Sequence, residues 1–118
     1  MCKWMPALLA SVIAITGAQA VYAKGTYSNM GAGAMSCGEY VKQEALRTDA
    51  LQWVLGFITA VNVTRAFDAK PDENISIMNG ANVDAIELWL ENYCAKNPLD
   101  SVTTATIRLV DEALKRSK

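Results

Sequence analysis

The residues able to do chemistry in this chain of 118 are three cysteines and twelve carboxylates, with no histidine beside them. The lack of histidine removes the usual general base, the usual zinc ligand and the usual switch near neutral pH. A hydroxyl nucleophile needs a base at hand. The bases that remain are carboxylates and lysines, and none clusters with a serine in a recognisable spacing. No catalytic residue and no cofactor is therefore expected. Asp68, Asp72 and Glu73 could offer oxygens to calcium, but their spacing fits no calcium loop. They are expected to form an ordinary acidic loop, and no metal site is expected. Asp111 and Glu112 stand four residues before Lys115 and Arg116, the spacing of i,i+4 ion pairs on an exposed helix end.

Cysteine chemistry depends on the compartment, and the N-terminus addresses it. MCKWMP carries a single positive charge, Lys3, and Ala7 to Gly17 is apolar. Ala18-Gln19-Ala20 and Val21-Tyr22-Ala23 each place small residues as a cleavage site requires. This is the pattern of a secretory signal peptide over residues 1–23, cut after Ala20 or Ala23. An N-terminal membrane anchor is the alternative, disfavoured by the short apolar run. Cys2 precedes that run, so it is not placed for lipidation at a cleavage site. Cys37 and Cys94 remain, and in an oxidising compartment a single disulfide is the default. It would close a loop of 57 residues, which chain entropy makes worth about 4 kcal/mol. A reactive thiol pair is the other option, without CxxC spacing or a histidine to support it.

Titration of carboxylates is the remaining chemistry. The whole chain has a formal charge of −1, so no basic surface points to nucleic acid. All twelve acidic side chains and ten of the eleven basic ones follow Ala23. The exported chain thus swings from −2 at neutral pH to +10 with every carboxylate protonated. That swing falls near the reference values of Asp and Glu, about 3.9 and 4.3. Any protein titrates in this way, so the swing alone assigns no function.

The elements that must carry these groups are helical. Leu51 to Val63, LQWVLGFITAVNV, has no charge. Leu51, Val54, Leu55, Ile58 and Val61 repeat at helical spacing, and Trp53, Phe57 and Ala60 widen the stripe. A helix apolar on nearly every side is expected to be covered by other elements. At about 20 Å it is too short to cross a bilayer of about 30 Å, so no stable membrane insertion is expected after cleavage. Gly56 in its middle suggests close approach of a neighbouring helix. Thr48 or Asp49 is the expected cap, and the helix is expected to end near Phe67.

Around this centre the sequence predicts three more helices. Residues 24–35 are rich in glycine, serine and alanine and read as a flexible tail. Ser36 and Glu39 fit a capping box that opens a first helix to about Arg47. Asp68 to Ala81 is the longest break, with Pro71, Asn74, Asn79 and Gly80 as turn residues. Ile75 to Met78 there either forms a brief extended piece or packs on the core. Asn82 caps a third helix whose stripe is Ile86, Leu90, Tyr93 and Cys94, with Trp89 beside it. Glu87 and Glu91 make its solvated face, and Asn97-Pro98 ends it. A last helix spans about Asp100 to Lys115; its β-branched first half leaves a strand as the alternative. Asn62 and Asn74 match glycosylation sequons, and Asn62 lies inside the apolar helix. The expectation is an all-α, small single domain over residues 36–118. It has about four helices around a central apolar helix, and the disulfide ties helix 1 to helix 3.

Ser36-Cys37-Gly38-Glu39-Tyr40 resembles the opening of the HdeA/HdeB-type periplasmic acid-stress chaperones, a T/S-C-x-E-F-like segment after a signal peptide. Trp53 falls where that family often has tryptophan. Tyr93-Cys94-Ala95-Lys96-Asn97-Pro98 is similar to the context of the family's second cysteine. The resemblance covers roughly Ser36 to Pro98. It implies a Cys37–Cys94 disulfide, a homodimer at neutral pH, and acid-triggered dissociation with partial unfolding. Exposed apolar surface would then hold unfolded periplasmic proteins soluble. Leu51, Trp53, Val54, Phe57, Ile58, Trp89 and Leu90 would serve as core at neutral pH and as client-binding surface in acid. The central helix, read as W-x-x-G-F-x-x-A, and the loop from Asp68 to Ala81 depart from those chaperones. More weakly, the Gly56-Phe57-Ile58-Thr59-Ala60 segment and the later Asn97-Pro98 resemble the exported immunity proteins that block amidase toxins of contact-dependent secretion systems. Such a protein would bind one toxin through a preformed surface. An exported binding or structural domain is the remaining option.

Overall fold

The computed structural model describes residues 25–117; the proposed signal peptide and both cleavage sites lie outside them. Four helices make the domain: α1 (Cys37–Lys42), α2 (Glu44–Phe67), α3 (Val83–Lys96) and α4 (Val102–Arg116). There is no strand among the described residues. The core gathers Tyr40 from α1, Leu51, Val54 and Ile58 from α2, Leu90 from α3, and Val102 and Leu109 from α4.

The ends of these helices follow from local chemistry. Ser36 Oγ accepts from the Glu39 amide at 3.2 Å, and the Glu39 carboxylate accepts from the Ser36 amide at 3.0 Å, closing the expected capping box. Asn82 caps α3 by accepting from the Ala85 amide at 2.7 Å. Ser101 caps α4 through the Thr104 amide, so the helix begins at Val102, two residues after the expected start near Asp100. Ser36 and Ser101 also face each other in an antiparallel bridge. The Cys37 amide donates to Asp100 O, and the Val102 amide to Met35 O. Two helix N-termini are thereby fastened side by side. Cys37, at the start of α1, is bonded to Cys94 near the end of α3, with a Cα–Cα distance of 4.6 Å.

The boundary between α1 and α2 differs from expectation. The first helix stops at Lys42 instead of Arg47, and α2 starts at Glu44, ahead of the expected caps Thr48 and Asp49. Arg47 explains the early break. Its guanidinium donates to Tyr40 O at 3.3 Å and Val41 O at 2.9 Å, satisfying carbonyls that a continuous helix would have used. Those side-chain bonds let the chain turn at Gln43, so α2 gains its length from residues assigned to α1.

Residues 24–35 read as a tail, yet the second half of that segment is seated on the domain. Gly31–Ala34 forms a 3-10 turn whose Gly33 is buried against α2 and α4. The Trp53 indole N–H donates to Met30 O at 2.9 Å. The Thr103 hydroxyl lies 2.6 Å from Asn29 Oδ1 and 2.9 Å from Gly33 O, and can give its proton to either. A Cβ on Gly33 would stand 2.3 Å from the Trp53 ring. The composition that suggests flexibility is here what permits close approach.

Residues 68–82 form turns without a strand. Ile77 of the Ile75–Met78 piece packs into the core. Asn62 holds it there, accepting from the Ile77 amide at 2.9 Å and donating to its carbonyl at 3.5 Å. Arg65 donates to Ile75 O at 3.1 Å. The Asn62 side chain of the first sequon is therefore engaged in fixing the loop. In α4 the β-branched half is helical: Val102, Thr103 and Thr106 are buried. Burial outweighs the helix-propensity cost of a few tenths of a kcal/mol per residue, and Thr106 Oγ1 satisfies itself on Val102 O at 2.7 Å.

Candidate functional site

Of the seven residues assigned to a client-binding surface, four are core in the folded protein. Leu51, Val54, Ile58 and Leu90 are buried. Trp53, Phe57 and Trp89 are partly buried and pack against them. The two α2 aromatics lie tilted with ring centroids 5.5 Å apart, and Trp89 stacks on Tyr93 at 5.2 Å.

A run of exposed apolar residues lies on another side of α2. The sequence predicts cover on nearly every side of this helix, and the structure leaves one side bare. Gly56, Ala60, Val63 and Phe67 are all exposed, Phe67 to 84%. Their spacing of four, three and four residues puts them on one side of a helix. Gly56 was expected to admit a neighbouring helix, and none is there: a Cβ built on it meets nothing within 4 Å. Phe57, Ala60, Val61 and Thr64 line a shallow groove of about 280 Å³ along the same part of the helix. Apolar periodicity reports which side chains avoid water, not whether the cover comes from this chain or another. That is why the sequence could not separate the two faces.

A second set of residues holds the helices to one another. Arg47 Nη1 meets Glu91 Oε1 at 2.7 Å, joining α2 to α3. The Trp89 indole donates to Glu112 Oε2 at 3.0 Å, joining α3 to α4. Tyr93 Oη donates to Asp100 Oδ2 at 2.6 Å, joining α3 to the link before α4. Glu91, read as part of a solvated face, is therefore engaged by an arginine from a neighbouring helix. The Lys115–Asp111 and Arg116–Glu112 pairs form as the spacing predicts.

Proton affinities around these contacts shift for identifiable reasons. The Ser36 backbone N–H, and then its hydroxyl, hold the Glu39 carboxyl below the usual range. Burial raises the Tyr93 phenol, with its hydrogen bond to Asp100 adding to the effect. Burial, and then the charges of Glu87 and Glu91, push the Tyr40 phenol up to about 12. Tyr40 Oη is fully buried with no hydrogen-bond partner among the described residues, a cost usually avoided in cores. The Arg47 guanidinium lies 5.9 Å from the centre of its ring.

The chain matches no family model, and no curated protein or solved structure matches it.

Proposed function

We propose that the protein is an exported, acid-activated holdase that keeps unfolded periplasmic proteins soluble, in the manner its motifs share with the HdeA/HdeB-type chaperones. The observation that carries this reading is the chemistry of the contacts between helices. The bonds Arg47–Glu91, Trp89–Glu112 and Tyr93–Asp100 all end on carboxylates, whereas the Cys37–Cys94 bond does not titrate. In strong acid the carboxylates of the exported chain take up protons as a class and its charge goes from −2 to +10, while the disulfide stays. Self-repulsion of the cationic chain then favours expansion. The disulfide limits how far the chain opens, and Leu51, Val54, Ile58 and Leu90 become available to clients.

At neutral pH we assign the bare side of α2 to a second copy of the chain. Gly56 and Ala60 leave room for a backbone to approach, and Val63 and Phe67 supply apolar surface to bury. Client aggregation followed by light scattering at pH 7 and at about pH 2, with apolar-dye binding in parallel, tests the reading. Suppression in acid together with dye binding is expected. A chain that stays compact and leaves clients unprotected in acid would sink the proposal. That outcome would favour the immunity-protein alternative, for which the loop pinned at Ile75 and Ile77 by α2 offers a preformed surface.

A further inference from the structure

A cavity of about 430 Å³ opens between the turn at residues 76–81, the start of α3 and the end of α4. Its volume falls within the range of small-molecule sites, about 300–1,000 Å³. Ile86 and Leu109 are buried and line it, with Met78, Ala85 and Ala113 as further apolar lining. Trp89 and Glu112 stand at one side, joined by the indole hydrogen bond, and Arg116 borders them. Both oxygens of Glu112 already accept a bond, one from Trp89 and one from Arg116. The Arg116 guanidinium gives one N–H to that carboxylate and has five in all. It is largely exposed, so donors remain for a ligand. Asn79 and Ser76 add an amide and a hydroxyl to the lining.

An apolar cavity whose carboxylate is engaged and whose guanidinium keeps donors to spare selects a particular chemistry. We propose that this cavity binds a small amphipathic carboxylate, with its hydrocarbon body against Ile86, Leu109 and Trp89 and its head group on Arg116. A medium-chain fatty acid is the simplest such molecule. The cavity lies at the other end of α3 from the disulfide and shares no lining residue with the bare stripe of α2. Ligand binding belongs to the folded protein at neutral pH and does not depend on acid activation.

The test uses the oxidised protein, expressed from its full sequence, at pH 7. Decanoate, decanol and decyltrimethylammonium, each below its micellar concentration, are titrated by calorimetry, and the Trp89 indole N–H is followed by NMR. One decanoate per chain with a shifted Trp89 signal is expected. Arg116→Gln should weaken decanoate about tenfold, the scale of losing a charged hydrogen bond, and leave decanol unchanged. Ala85 is exposed, so Ala85→Phe can fill the opening without disturbing the core and should abolish binding of both. The proposal is overturned by lack of saturable decanoate binding, or by an ammonium amphiphile that binds as well. Unchanged decanoate affinity in either variant would overturn it too.

Discussion

Arg47 and Glu91 meet at 2.7 Å between α2 and α3, and the same guanidinium holds the carbonyls of Tyr40 and Val41 where α1 ends. One side chain thus sets a helix boundary and an interhelical contact. Arg47→Met should cost about 2 kcal/mol, since bonds made by charged groups contribute about 1.5–3. Glu91→Gln should cost no more than about 1 kcal/mol, because the pair is partly open to solvent, with about a third of each side chain exposed. Urea unfolding at pH 7 measures both. Equal losses would mean that the ion pair, and not the backbone contacts, carries the effect.

Gly33 has no room for a methyl group. A Cβ there would be 2.3 Å from Trp53 and 2.6 Å from the Thr103 hydroxyl. Gly33→Ala should destabilise by about 1–3 kcal/mol, the scale of overpacking, or release the segment before Ser36 from the domain. Thermal unfolding, with Trp53 fluorescence and proteolysis of that segment, distinguishes these routes. Gly56→Ala is the control for the single chain: its surroundings within the chain are open, and alanine is the better helix former by about 1 kcal/mol, so stability should rise when measured at concentrations too low for a second copy to bind.

The contrast between these glycines shows how much of the fold the sequence carried. Helix number, the Ser36 and Asn82 caps and the Cys37–Cys94 pairing were legible because each rests on local pattern or on a small count of residues. Local pattern reads Gly33 as tail and Gly56 as a helix contact, whereas within the chain Gly33 is packed and Gly56 is open. A glycine records only that space or an unusual backbone angle is tolerated; the partner that fills the space is nonlocal. Arg47 was missed for the same reason, since nothing in its neighbourhood announces a bond to Glu91, 44 residues on. The cavity under Trp89 draws on three separate segments and leaves no mark in any one of them.

Tyr40 makes the fold sensitive to alkali. Its phenol is pushed up to about 12 in the folded protein, against about 10 unfolded. The folded state therefore holds its proton more tightly. That contribution is fully present below pH 10 and is lost as pH rises from there through about 12. Tyr40→Phe should flatten this alkaline decline. It should also be neutral or slightly stabilising at pH 7, because the hydroxyl it removes has no partner. Urea midpoints across pH 7 to 11 give both quantities, and a large loss at pH 7 would reveal a partner for the hydroxyl.

If the bare side of α2 is covered by a second copy, its most exposed aromatic should control assembly. Phe67→Ser changes a residue that is 84% exposed, so the fold of the single chain should be unaffected. Sedimentation at neutral pH should show a dimer for the natural sequence and a monomer for the variant. A natural chain that sediments as a monomer at high concentration would leave the stripe to a different partner.

If acid opens the protein as proposed, the switch can be imitated without acid. Glu91→Gln and Glu112→Gln remove charge from two carboxylates that join neighbouring helices while keeping their size. Each should cost about 1 kcal/mol or less at pH 7, the range of partly exposed pairs. Together they should raise the pH at which apolar dye first binds and at which client aggregation is suppressed. Glu39 supplies the comparison. Its folded carboxyl lies below the usual range because of Ser36, so its contribution is present above the unfolded value of about 4.3 and lost as pH falls through the lower folded one. Glu39→Gln should therefore weaken the protein at pH 7 and converge with the natural sequence in acid. Because its capping box lies within the first turn of α1, it should move the onset of client binding less than the double variant. An onset unmoved by Glu91→Gln with Glu112→Gln would show that opening in acid is driven by overall positive charge and not by these two contacts.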